Sequence, residues 1–246
     1  NFNGLNLTYE TLDGLVKHNG PVNDLSKFDK ILGKNFFKNK IKFLNNTSLE
    51  AQIASISDDI AYNSHDLEDG LKSNLFQLND LKNIPVLNKI IFKNKKKHKK
   101  YSIDLIIRQI IRDIINIMVS DVIKTTKNNL KKNNIKNLKD VYKFNEELVC
   151  FSNNMKIFDL KIKNFLKKKM YFHKNVHMKT NYGRKIIKNL FLLIKKNPKK
   201  YINILKYKNS SIERVICDYI AGMTDRYAIN LYKKIKWTYL NIIYLK

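Results

Sequence analysis

Leu49-Glu50-Ala51-Gln52-Ile53-Ala54-Ser55-Ile56-Ser57-Asp58-Asp59-Ile60-Ala61-Tyr62-Asn63-Ser64-His65-Asp66 is the stretch whose spacing decides the fold class. Leu49, Ile53, Ile56 and Ile60 recur at i, i+4, i+7 and i+11, a narrow apolar stripe that predicts an α-helix with the stripe buried. At about 100° per residue, Asp58, Tyr62 and Asp66 fan over about 80° on the opposite side. Small Ala51 and Ser55 stand there too. No lysine occurs from Leu49 to Leu71, although 43 of the 246 residues are lysine. A carboxylate, a tyrosine and a second carboxylate spaced by four can line a cavity from one wall. The first could bind a metal and the others could bond a polar substrate. The same spacing also describes a solvated acidic face.

Outward from this segment the signals are helical. Tyr101–Ile123 reads as the longest helix. Its apolar side runs through Ile103, Ile106, Ile107, Ile110, Ile111, Ile114 and Ile117, with Asp104, Arg108, Arg112 and Asn116 on the other. Further helices are expected near Thr8–Val16, Asp159–Phe172, Tyr182–Lys196 and about Ser211–Lys236. Glu213 near the start of the last one and Lys233-Lys234 near its end suit the helix dipole. Asn19-Gly20-Pro21 reads as a turn, and Val22–Asn46 as a lysine-rich variable loop with short helices. Lys93–Lys100 reads as a charged loop. No segment alternates strongly enough to predict a strand, and no internal repeat is present. The expectation is one all-α helical domain over 1–246.

Composition excludes several classes. Only 7 Gly and 3 Pro argue against collagen-like chains, proline-rich linkers and all-β sandwiches, while 43% hydrophobic content suffices for a sizeable core. Cys150 and Cys217 are too far apart to suggest a disulfide scaffold or a structural zinc site. No apolar run is long enough for a membrane span and the start has no signal-peptide layout, so a cytoplasmic protein is expected. The net charge is +27, with 48 Lys+Arg against 21 Asp+Glu, but only 5 of the cations are arginine. Lysine shares A/T-rich codons with the abundant Asn, Ile, Phe and Tyr, so nucleotide bias in an A/T-rich genome explains them together. A reader of phosphate and base edges would be richer in arginine, which makes nucleic acid a weak expectation as a partner. The field would still draw polyanions, triphosphates included, at low salt.

Histidine gives little by itself. His173 and His177 stand at i, i+4 without a carboxylate partner, and His65-Asp66 lacks a second histidine at helical spacing. A Gly-x-x-x-x-Gly-Lys-Ser/Thr phosphate loop and a Gly-x-Ser-x-Gly elbow are both absent.

Leu5-Asn6-Leu7-Thr8-Tyr9-Glu10-Thr11-Leu12-Asp13-Gly14-Leu15-Val16-Lys17-His18-Asn19-Gly20-Pro21 resembles the corresponding stretch of bacterial deoxyguanosinetriphosphate triphosphohydrolase-like proteins. So do Leu49–Ile53 running into Asp58–Asp66, then Phe165–Val176, and then Cys217–Ala228. The four blocks stand in family order; the lysine-rich connections between them match poorly. The resemblance implies an all-α phosphohydrolase fold of the His-Asp superfamily. Such enzymes use a divalent metal, Mg or Mn, to split a deoxynucleoside triphosphate into deoxynucleoside and triphosphate. The metal acts as Lewis acid and helps generate the attacking hydroxide. The family holds it with a histidine, a His-Asp pair and a distant aspartate, and Asp58 matches that aspartate. Tyr62 and Asp66 match residues that meet the sugar, Asp66 at the 3′-hydroxyl. Lys17 and His18 occupy a segment that approaches the phosphates. Homo-oligomers are expected on the same ground.

The family's first histidine and its His-Asp pair lie upstream of the first block, and only four residues precede that block here. His65-Asp66 cannot replace them, because it already fills the sugar-facing place. The expectation is a C-terminal fragment that lacks the N-terminal helices and three of four metal ligands, inactive alone. The alternative is a catalytically inactive remnant that keeps a scaffold, nucleotide-binding or oligomerisation role. Phe172 stands where the family usually has arginine, and the tail after Lys234 does not match.

Overall fold

The computed structural model describes residues 5–22, 24, 46–202 and 210–244. Most of the loop expected over Val22–Asn46 lies outside them. Among the described residues there are nine α-helices and no strand: α1 Tyr9–Lys17, α2 Leu49–Lys72, α3 Pro85–Lys97, α4 Ile103–Lys132, α5 Leu138–Lys143, α6 Asn153–Leu166, α7 Lys174–Lys196, α8 Ile212–Ala221 and α9 Asp225–Tyr244. A turn of π-helix, Lys167–Tyr171, follows α6. The all-α expectation holds.

Serine and threonine hydroxyls start most of these helices by accepting an orphan backbone N–H. Thr8 does so for α1, Ser48 for α2, Ser102 for α4, Ser152 for α6 and Ser211 for α8. The chain divides into two compact units, Asn1–Met170 and Tyr171–Lys246. In the first, α2 packs on α1, α4 and α6, and α3 packs on α4. Leu67, Leu87, Ile110, Ile114, Met118, Ile162 and Leu166 form its driest part. In the second, α7 packs on α8 and α9 around Leu190, Ile194 and Ile216.

Three expectations are corrected. Lys93–Lys97 is helical rather than loop, because Leu87, Ile90, Ile91 and Asn94 bury one side of α3 and carry its basic end along. Only His98–Lys100 turn. The helix expected over Ser211–Lys236 is two helices, since Gly222 caps α8 and the chain restarts at Asp225. The stripe on α2 is buried only in part. Ile60 is 4% exposed and Ile53, on the same face, is 48% exposed. Leu49 and Ile56 pack half-buried against the core, Ile53 is left outside it, and the N-terminal end of α2 buries Gln52 instead. Gln52 satisfies itself there: its Oε1 accepts from Leu148 N and Val149 N at 3.0 and 3.1 Å, and its Nε2 donates to Thr47 O at 3.1 Å. On α4, Ile103 is likewise exposed, whereas Ile106 to Ile114 are buried.

Ile60→Asp would place an unpaired carboxylate in this core, so it should cost about 4 kcal/mol or more and unfold or aggregate the protein. Ile53→Asp should leave the melting temperature within about 2 °C, because a surface substitution changes stability by less than about 0.5 kcal/mol. Thermal melts of the two variants side by side check this; equal losses would mean that Ile53 is covered.

Candidate functional site

The wall read from the sequence exists as one uninterrupted helix. Asp58 and Tyr62 project from α2 as exposed side chains, and Asp66 is half-buried one turn further on. Asp58 opens onto a cavity of about 760 Å³ between α1, α2 and α5. His18 borders the same cavity. The small side chains of Gly14, Ala51 and Ala54 floor it, and a Cβ on Gly14 would already lie 3.2 Å from that of Ala51. This close approach of α1 to α2 brings the Lys17-His18 segment beside the Asp58 turn.

Lys17 and His18 also border a second, polar cavity of about 170 Å³, with Ser55, Asp59, Lys156 and Asp159. Lys17 is 1% exposed, and its ammonium sits 2.7 Å from Asp13 Oδ1, one turn back on α1. A charge so deeply buried is tolerated only with such a partner. His18 is exposed; its Nδ1 lies 2.8 Å from Leu15 O and its Nε2 3.0 Å from Asn19 Nδ2. Tyr62 and Asp66 extend the Asp58 wall along α2 and line neither of these cavities.

A network that hydropathy could not reveal fixes this wall. Asn63 donates from Nδ2 to Asp159 Oδ1 at 2.7 Å, and both residues are buried. Lys163, one turn after Asp159 on α6, lies 2.9 Å from Asp159 Oδ2 and 3.0 Å from Asp59 Oδ2. Partial burial acts to lower the Lys163 pKa, but the two carboxylates outweigh it and hold the ammonium above its usual 10.5. Two points on α2, Asp59 and Asn63, are thus tied to one turn of α6. The sequence signal was the unexplained polarity of Asn63 and Asp159 at helix positions facing the core.

His173 and His177 make local bonds. His173 caps α7 by accepting from Asn175 N at 3.3 Å, and His177 Nδ1 lies 3.0 Å from Asn181 Nδ2. Among the described residues no group of three or more His, Cys, Asp or Glu is placed to share a metal ion. Asp58 can serve as one ligand of a set, but these residues do not complete a metal centre. No helix among the described residues is long and apolar enough to cross a membrane.

Residues 149–234 match the family described as Phosphohydrolase-associated domain. Along 95% of its length the chain is similar to deoxyguanosinetriphosphate triphosphohydrolase-like proteins. It is 53% identical to the one from Pelagibacter ubique over 234 residues, which is 63% of that relative. It is 35% identical to the Caulobacter vibrioides protein and 36% identical to the Bartonella henselae protein, covering 61% and 60% of them. The chain therefore spans about three fifths of the length of the curated relatives it matches.

Proposed function

We propose that the protein to which this chain contributes hydrolyses a deoxynucleoside triphosphate to deoxynucleoside and triphosphate, with a divalent metal. Asp58 supplies one metal ligand, and Tyr62 and Asp66 meet the sugar. His18 faces the phosphates, while Lys17, paired with Asp13, supports that segment from below. The observation that carries the reading is the unbroken α2 wall, with Asp58 opening onto a cavity that His18 also borders. The names of the relatives supply the reaction class.

The chemistry of this chain is recognition. Asp66, half-buried, accepts from the 3′-hydroxyl, and a site built to bond a hydroxyl rejects the analogue that lacks it, because its own polar group is left unpaired. Tyr62 stands between the metal side and the sugar side, one turn from each. In the longer protein, Asp66→Ala should shrink the rejection of 2′,3′-dideoxynucleotides by on the order of tenfold or more, with metal content unchanged. A competition between deoxy and dideoxy substrates checks it, with metal measured on the same preparations. If Asp66→Ala loses metal and Asp58→Ala keeps it, the two roles are reversed. A longer protein that binds metal and deoxynucleotide without turning it over would point to the inactive remnant.

A further inference from the structure

We infer that the exposed face of α3, with the turn that leads into α4, docks on an anionic lipid bilayer. Its lysines meet the headgroup phosphates, and its exposed aromatic and aliphatic side chains enter the boundary beneath them. This goes beyond the hydrolase reading and does not need it.

Positive charge is concentrated here. Residues 81–103 hold eight lysines and no Asp or Glu. The core fixes which side of α3 they show. Leu87, Ile90, Ile91 and Asn94 are buried, so Lys89, Phe92 and Lys96, at i, i+3 and i+7, share the outward face. Phe92 is 70% exposed in the middle of that face. Past the end of α3, Tyr101 is 60% exposed, and Ile103 and Leu105 are 56% and 50% exposed. Lys95 and Ile103 border one cavity of about 450 Å³ together with Lys72, so the face of α3 and the start of α4 lie at the same end of this unit. Asp58 stands about 20 Å back along α2 from Lys72, and docking at this end leaves its cavity unoccupied.

Stable attachment to a bilayer takes two signals, because a basic patch or a modest apolar contact alone is weak and reversible. This end offers both. Lysines close to an anionic leaflet are drawn to it additively, and salt screens the attraction. Phe, Tyr, Ile and Leu side chains are buried at the boundary of headgroups and acyl chains. The same chemistry favours lipid over nucleic acid. Every cation of the stretch is lysine, a compact point charge suited to phosphate, and no arginine occurs before Arg108 to read base edges. Single-stranded bases would stack on Phe92 and Tyr101 but leave Ile103 and Leu105 in water. A bilayer covers all four.

The test sediments the 246-residue chain with vesicles of phosphatidylglycerol mixed with phosphatidylcholine, and with vesicles of phosphatidylcholine alone. Binding is expected to the anionic vesicles only. Lys89→Glu combined with Lys96→Glu should weaken it more than about tenfold, and Phe92→Ser about fivefold. Melting curves should not move, because all three side chains are exposed. Lys124→Glu combined with Lys127→Glu makes the same change in net charge on exposed positions of α4, about 30 Å or more beyond Ile103, and should leave binding as it was. Equal losses from the two double variants would mean that the charge of the whole chain holds the vesicles, which overturns the proposal. So does full binding by Phe92→Ser. Absence of binding to the anionic vesicles overturns it as well, and capture of a single-stranded oligonucleotide in that case would assign the face to nucleic acid. Hydrolysis is not read, so the role of Asp58 stands or falls separately.

Discussion

Asp58→Ala, placed in a longer protein that carries the remaining ligands, is expected to lower triphosphate release by more than about a hundredfold and to reduce bound metal. Loss of a residue that merely orients a metal ligand costs about 10- to 100-fold, and a direct ligand must exceed that. The carboxylate is exposed and makes none of the core contacts of α2, so the melting temperature without metal should not move. That separates a ligand from a structural residue. The 246-residue chain alone should release no appreciable triphosphate from any deoxynucleotide with Mg or Mn, because one carboxylate cannot hold a divalent ion against water. Robust turnover by the chain alone would sink the assignment of the metal to Asp58.

The second large effect is expected at Asp159. Its side chain is 9% exposed and accepts from Asn63 while facing Lys163. Asp159→Ala leaves the buried Asn63 amide without that acceptor and strips Lys163 of one of two carboxylates, a loss of about 3 kcal/mol. Urea unfolding should show it as a lower midpoint with unchanged slope. Lys163 adds a pH signature. Its pKa is raised on folding, so its contribution is complete below the usual 10.5 and is lost as pH rises through the folded value. Stability should fall above about pH 10.5, and Lys163→Met should flatten that limb. An identical alkaline limb in the variant would show that Lys163 is not tied in.

The same two residues mark where sequence reasoning stopped. Helix existence was legible because isoleucine recurs at helical spacing in α2 and α4. The candidate wall was legible because Asp58, Tyr62 and Asp66 lie in a lysine-free stretch of a lysine-rich chain. Periodicity could not say that Ile53 is left outside the core, so Ile53 and Ile60 looked equivalent. Nor could it show that Asn63 and Asp159 are buried against each other, since the two lie 96 positions apart. Likewise the lysines of α3 read as a loop, because charge masked the buried side formed by Leu87, Ile90 and Ile91.

Helix α2 carries its site face and its core face on one rigid rod, and this restricts how such proteins can diverge. One residue inserted between Asp58 and Asp66 would turn everything after it by about 100° and advance it by about 1.5 Å. Asp66 would leave its wall, and Leu67 and Leu71 would leave the core in the same step. The spacing between Asp58 and Asp66 is therefore a fixed length of backbone. Lineages can rewrite the letters of this segment, but its word length is frozen.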